Sequence, residues 1–196
     1  MGSKINLKRL FDVALAGAGL LIFSPLAILF ALLIKLEDNG PIFYIQERWG
    51  LSGKKFRALK FRTMIPKADS LGTLRPAKEN DPRVTKTGKF LRATAMDELP
   101  QLINILKGDM SFVGPRAIAV QEMDSAFPQF YERHQVRPGL TGPAQITVSR
   151  YATLEEKFRH DLEYIQTRSF AGDLKFIFLS FWITLRGRWE TRHNKI

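Results

Sequence analysis

The stretch VALAGAGLLIFSPLAILFALLI, residues 13 to 34, runs for 22 residues without a charge. At helical rise that is roughly 33 Å, long enough to cross a bilayer core. It is not patterned as a secretory signal, because no small-residue cleavage site closes a short apolar region and the run continues past Pro25 to Lys35. Two features argue against a straight span. Ser24-Pro25 lies at its middle, where proline removes a backbone hydrogen bond and its ring collides with the carbonyl one turn back, so a helix should kink or break there. Both flanks are basic: Lys4, Lys8 and Arg9 precede the run, while Lys35, Arg48, Lys54, Lys55, Arg57, Lys60 and Arg62 follow it, which pulls both toward the cytoplasm. A helix that breaks at Ser24-Pro25 and re-enters the same face satisfies both features, with the Ser24 hydroxyl available to a backbone group freed by Pro25. A simple span and a buried core helix are the alternatives.

A second apolar stretch, FIFLSFWITL at 176–185, is too short to span and too hydrophobic all round for an ordinary surface helix. Lys175, Arg186, Arg188 and Arg192 flank it, as expected of a helix lying in the headgroup region near residues 173–187. A core helix is the competing reading. The remaining length, within 196 residues, suffices for one core. The expected organisation is a membrane segment over 1–36 and a cytoplasmic-face domain over 37–196, acting as one unit.

Thirty Lys and Arg against 19 Asp and Glu give a formal charge of +11, which suits nucleic acid, anionic lipid or a phosphorylated small molecule. The absence of cysteine excludes disulfides, thiolate metal sites and cysteine nucleophiles. Met1-Gly2-Ser3 fits a native start or a cloning remnant, and the myristoylation pattern fails at Asn6.

IFYIQER (42–48) and KFRALKFRTM (55–64) are rich in aromatic and β-branched residues with Gly50 and Gly53 between them, which predicts a β-hairpin. Residues 65–82 are polar and contain proline and glycine, the pattern of a surface loop and, beside an active site, of a lid. RVTKTGKFLRATA (83–95) carries Arg83, Lys86, Lys89 and Arg92. The next segment reads as a helix: Leu99, Leu102, Ile103 and Leu106 fall on one face, Pro100 is tolerable only in a first turn, and Gly108 supplies the stop. MSFVGPR predicts a short extended piece ending in a turn that presents Arg116, and VRPGLTG (136–142) is a second Pro/Gly turn carrying Arg137. Leu154 to Thr167 reads as an amphipathic helix with Phe158, Leu162 and Ile165 inward. The fold class is therefore α-rich α+β.

The acids Asp97 and Glu98 head the predicted 97–108 helix. As an ordinary feature Asp97 is an N-cap and Glu98 complements the helix dipole. As chemistry, a helix terminus would hold Asp97 ionised and able to attack phosphorus, and Glu98 could hold Mg²⁺, which takes one or two carboxylates and completes its shell with water and phosphate oxygens. Such a reaction needs fixed cations around the phosphoryl oxygens. Arg116 and Arg137 on rigid turns suit that role, with Arg92, Lys60 and Arg62 as further candidates, each equally readable as a surface charge. No HExxH, P-loop, nucleophile elbow or dinucleotide fingerprint is present, and His134, His160 and His193 are scattered, structural or exposed.

KFRTM (60–64), the block RVTKTGKFLRATAMDELPQLINILKGDMSFVGPR (83–116), VRPGLTGPAQ (136–145) and KFRHDLEYIQTRSFAGDLKFIF (157–178), behind an apolar segment with a central Ser-Pro, resemble the bacterial sugar transferases, the monotopic phosphoglycosyl transferases. The resemblance runs from about residue 5 to 186 in order and spacing, and is to the minimal form without further transmembrane helices. It implies transfer of a sugar 1-phosphate from a UDP-sugar to polyprenyl phosphate, usually undecaprenyl phosphate, with release of UMP. This is the first membrane step of surface polysaccharide assembly. By position it implies that Asp97 is the nucleophile of a covalent phosphosugar intermediate, that Glu98 binds Mg²⁺ and that Arg116 within Gly114-Pro115-Arg116 contacts phosphate, with Gln145 in the second turn motif. It also implies a re-entrant helix and a place on the cytoplasmic face of the bacterial inner membrane among anionic lipids, and it leaves a homodimer open. The chain departs from the family pattern at Ala117, at Pro143 and over Thr147-Val148-Ser149-Arg150, so the sugar is the least transferable inference. A basic nucleic-acid binder fits the charge but lacks a base-reading motif, so no nucleic acid is expected. A non-catalytic scaffold for glycan assembly is the remaining alternative.

Overall fold

The structure, a computed structural model, describes residues 7–66, 68, 81–126, 129–149 and 152–186. Most of the 65–82 loop, Lys4, Arg150, Arg188, Arg192, His193 and the Met1-Gly2-Ser3 start lie outside the described residues.

Helix α1 (Leu7–Asp38) contains the whole apolar run, with Pro25 inside it. The helical run continues through Ser24-Pro25, where the sequence predicts a kink or break. Pro25 has no N–H for the Leu21 carbonyl, and the Ser24 hydroxyl donates to that carbonyl instead, at 2.9 Å. The orphaned acceptor is thereby satisfied within the helix, and the helical run continues. The middle of α1 is bare: Leu21 is 78% exposed and Ile22 71%. Both ends, in contrast, are tied to the rest of the chain. At the N-terminal end Lys8 pairs with Asp173, Arg9 donates to the carbonyls of Ile105 and Leu106, and Asp12 accepts from the Phe112 amide. At the C-terminal end Glu37 accepts from the amides of Lys86 and Thr87, and Asp38 pairs with buried Arg62.

Strands β1 (Phe43–Trp49) and β2 (Lys55–Phe61) form the expected antiparallel hairpin, in register from Phe43 opposite Phe61 to Trp49 opposite Lys55. A single 3₁₀ turn, Leu51–Gly53, joins them. Helix α2 (Lys86–Ala93), capped by the Thr85 hydroxyl, occupies the basic stretch to which no element is assigned from sequence. It approaches so closely that a Cβ on Gly88 would lie 2.1 Å from the Thr63 carbonyl oxygen.

The predicted 97–108 helix is divided. Met96–Glu98 is a 3₁₀ turn entered through Ala95 in the left-handed region, and α3 (Gln101–Lys107) begins only after Pro100 and ends at left-handed Gly108. Asp97 is therefore not an N-cap, and no side chain caps either start. Pro100 fixes the entry to α3, so the acids are set on the tighter turn before it.

Strand β3 (Ser111–Val113) pairs in parallel with β4 (Gly139–Thr141). The two Pro/Gly turns thus lie side by side; a Cβ on Gly114 would meet the Arg137 carbonyl oxygen at 2.4 Å. Short helices α4 (Phe130–Arg133) and α5 (Pro143–Thr147) lead to α6 (Leu154–Thr167) and α7 (Phe170–Leu185). Helix α6 keeps its predicted bounds but buries Phe158, Asp161 and Tyr164 instead of the expected Phe158, Leu162 and Ile165. Polar partners cause the rotation: Asp161 pairs with Arg133, and the Tyr164 hydroxyl donates to Asp173 at 2.7 Å. Helix α7 is not a core helix, since Phe178, Phe181, Trp182 and Leu185 are exposed while Ile183 is enclosed.

The core has three parts. Ala16 and Leu20 of α1 pack on Leu102, Ile105 and Met110; Phe30 and Ile34 pack on Phe61 and Leu91; and Trp49 packs on Ile118, Met123, Phe130 and Phe158. Both halves of α1 thus bury a narrow stripe against the same body. The acid turn lies between these two contacts, with Met96 and Leu99 packed beneath it.

Candidate active site

The acid turn faces β2. Lys60 lies at the penultimate position of that strand, and its ammonium donates to Glu98 Oε1, where the Arg116 guanidinium also arrives at 3.5 Å. Asn104 of α3 holds the two sides together. Its Oδ1 accepts from the Leu59 amide at 3.0 Å, and its Nδ2 donates to the Arg57 carbonyl at 2.8 Å and to Asp109 at 3.1 Å. Those backbone groups lie on the edge of β2 away from β1, so the side chain stands in for a missing neighbouring strand.

Burial works against the charge on Glu98, but Lys60 and Arg116 more than compensate and bring its pKa down from 4.5 to about 2. Asp97 goes the other way. Burial raises its pKa, Lys60 pulls it back, and the Glu98 carboxylate adds to the rise. Because α3 starts only at Gln101, the expected helix terminus at Asp97 is not there, and the cations of the pocket, Lys60 first and then Arg92 and Arg116, oppose desolvation instead. Burial lowers the Lys60 pKa, against the pull of both acids.

Arg48 belongs to the same cluster and was not singled out by the sequence. It extends from β1, donates to the Ala117 carbonyl at 2.7 Å and to the Gln46 side chain, and is pushed down by burial and by Arg116. From sequence it stands only among the basic residues after the apolar run, and the i, i+2 placement with Gln46 on a strand whose alternate residues are exposed is the further signal it carries. Arg92 projects from the last turn of α2 and donates to the Thr63 hydroxyl at 2.9 Å. Asp97, Glu98, Lys60, Arg116, Arg48 and Arg92 are therefore brought together.

The other candidates are placed elsewhere. Arg62 is enclosed and locks the end of α1 through Asp38. Arg137 donates to the Gly108 carbonyl at 2.8 Å and lines a cleft of about 360 Å³ with Leu7, Arg9 and Asp12. Gln145 donates to the Leu140 carbonyl at 3.0 Å, and Gly114 and Pro115 form the turn that carries Arg116, with the Gly139 amide donating to Pro115. His134 is buried and packed on Phe130, and desolvation lowers its pKa to about 4, so it is a neutral structural residue.

No group of three or more Asp, Glu, His or Cys side chains converges among the described residues, so these offer no all-protein metal cage. The acid pair fits Mg²⁺ nevertheless. That ion takes one or two carboxylates and fills its octahedron with water and substrate phosphate, and Glu98 is ionised throughout the neutral range.

A carboxylate pair ringed by arginine and lysine, on a helix-rich body with two bare apolar helices, has the chemistry that suits a phosphate group beside an apolar phase. Residues 3–187 match the bacterial sugar transferase family, and the chain belongs to it. It is 44% identical over 178 residues to a UDP-glucose:undecaprenyl-phosphate glucose-1-phosphate transferase of Caulobacter vibrioides, covering 87% of this chain and 66% of that protein. It is 45% identical over 184 residues to the Escherichia coli protein of the same name, covering 89% of this chain and 39% of the relative. A UDP-N-acetylgalactosamine-undecaprenyl-phosphate N-acetylgalactosaminephosphotransferase of Aeromonas hydrophila is 38% identical over 187 residues, 92% of this chain and 44% of that protein. The chain thus spans about two thirds or less of these relatives.

Proposed function

We propose that this chain is a phosphoglycosyl transferase that moves a sugar 1-phosphate from a UDP-sugar to undecaprenyl phosphate and releases UMP. The observation that carries this reading is the Asp97-Glu98 pair held against Lys60 and Arg116. The activities for which the relatives are named, which share the acceptor but differ in sugar, support it.

An Asp97 carboxylate oxygen attacks the sugar-bearing phosphorus of the UDP-sugar. The bond from that phosphorus to the bridging oxygen breaks, UMP leaves with the bond's electron pair, and a phosphosugar ester forms on Asp97. A polyprenyl phosphate oxygen then attacks the same phosphorus and Asp97 departs as carboxylate. Two anionic substrates thereby take turns in one pocket. Arg116 and Lys60 neutralise the phosphoryl oxygens from fixed positions, so little reorganisation is needed as charge develops. Glu98 and Asp97 would hold Mg²⁺, which supplies further charge neutralisation when bound.

The exposed apolar faces of α1 and α7 support membrane docking, with lipid taking the place of protein against Leu21, Ile22, Phe178 and Phe181. Because both ends of α1 are bonded to one folded body, the reading favoured is a monotopic enzyme whose α1 enters and leaves by the cytoplasmic face of the inner membrane. Purified protein with Mg²⁺, undecaprenyl phosphate and a panel of UDP-sugars is expected to release UMP with at least one donor. Asp97→Asn is expected to abolish release and the incorporation of labelled sugar phosphate into protein; sustained turnover by that variant overturns the covalent mechanism.

A further inference from the structure

Arg133 ends α4, and its side chain is only 2% exposed. Its Nε donates to Asp161 Oδ2 at 2.9 Å, its guanidinium lies 4.9 Å from the centre of the Phe158 ring, and its Nη2 donates to the main-chain carbonyl of Arg116. The adjacent carbonyl, that of Ala117, accepts from Arg48. On the other side the Gly139 amide donates to the Pro115 carbonyl. Three consecutive carbonyls around the turn, at 115, 116 and 117, are thus each gripped by a separate element.

The ion pair itself is a poor source of stability. Desolvating two charges costs about as much as their attraction returns, and apolar residues of similar volume replace such pairs with little loss. What an apolar pair cannot supply is the remaining donor, which ends on the backbone of the arginine facing Glu98. The Arg116 side chain is 48% exposed and carries several rotatable bonds, so its aim depends on a fixed origin.

We propose that Arg133, oriented by Asp161, is a positioning residue for Arg116: it fixes the main chain from which that guanidinium reaches the transferring phosphate. The inference rests on the phosphoryl-transfer reading above and adds two residues to it that touch no substrate.

The test uses the full chain in lipid nanodiscs and the double variant Arg133→Met/Asp161→Leu, which removes both charges together. It is expected to unfold within a few degrees of wild type yet to lose about tenfold to 100-fold in kcat/KM for UMP release, the scale of a misplacement of about 1 Å. In an Arg116→Ala background the same double change should cost nothing further, because the group being aimed is gone. Wild-type kinetics in the double variant, or a full additive loss on top of Arg116→Ala, overturns the proposal. Arg133→Lys, which keeps the charge beside Asp161 but lacks the fork that reaches Arg116, should lose activity in the same direction; unchanged activity there also counts against it. Amide exchange across residues 113–119 reads the positioning without turnover and should quicken in the double variant, while unchanged exchange refutes it. Failure of the wild-type enzyme to release UMP from any donor rejects the functional reading alone, and the exchange result still decides this one.

Discussion

Asn104→Leu tests whether the two halves of the site are joined as described. Asn104 is 1% exposed and makes three hydrogen bonds, two of them to backbone groups of β2 that face away from β1. Leucine has similar volume, so the cavity contribution is small and the loss is polar. It leaves the Leu59 amide and the Arg57 carbonyl without their partner, at about 1–3 kcal/mol each when buried, or about 3–5 kcal/mol together after partial relaxation. For a chain of this size each kcal/mol lowers Tm by about 2–4 °C, which gives a fall of about 6–20 °C. Thermal unfolding of wild type and variant in the same nanodiscs measures it. Asn104→Asp retains the acceptor for Leu59 but loses both donors and sets a carboxylate beside Asp109, so it should also be destabilised at neutral pH and recover in part as pH falls. A Tm for Asn104→Leu within about 3 °C of wild type would show that this bridge does not hold β2 to α3. Lys60 follows Leu59 directly, so UMP release should fall along with stability.

Glu98 gives a pH signature of defined sign. Its folded pKa, about 2, lies below the ordinary 4.5, so its contribution is complete above about pH 4.5 and is lost as pH falls toward 2. Wild-type Tm should therefore drop more steeply than that of Glu98→Gln between pH 5 and pH 3; parallel profiles would refute the pairing with Lys60 and Arg116. The absence of cysteine permits a topology test on an otherwise unaltered chain. Single cysteines at exposed Leu7 and Leu36, on opposite ends of α1, should react with an impermeant maleimide from the same side of membrane vesicles, and labelling from opposite sides would establish a span.

Elements set by local pattern were legible in the sequence: the hairpin, α6, the extent of the apolar helix and the two turns all follow from periodicity and from Pro/Gly placement. The acid pair and Arg116 were legible as types of residue, and resemblance gave them roles. What escaped were consequences of tertiary contact. Pro100 reads as a first-turn residue, yet the chain takes a separate 3₁₀ turn before it, through a left-handed Ala95 that no propensity favours. The buried face of α6 turns toward Asp161, because a partner 28 residues away outweighs the apolar stripe. The continuity of α1 depends on one hydroxyl meeting one orphaned carbonyl. Arg48 and Arg133 look like any other surface cation until the fold encloses them, and only the fold shows Arg62 turned to Asp38 and Arg137 to the Gly108 carbonyl.

The enclosed charges also explain why such a pocket needs its substrate. Burial pushes Lys60 and Arg48 down, Arg116 pushes the same way on both, and the pull of Glu98 offsets only part of this. Asp97 and Glu98 are the two acids that face Lys60, Arg48, Arg92 and Arg116, so the cations outnumber them two to one. The cluster therefore holds positive charge that water reaches poorly and that protein acids do not cancel. A diphosphate entering it removes repulsion among the cations, so binding energy comes from relief of like-charge contact as well as from new hydrogen bonds. In the transfer proposed above, departure of UMP would leave one phosphate on Asp97 with the cations still in excess, the condition that favours entry of a second phosphate. A lipid-borne acceptor phosphate would arrive from the side marked by the bare flanks of α1 and α7.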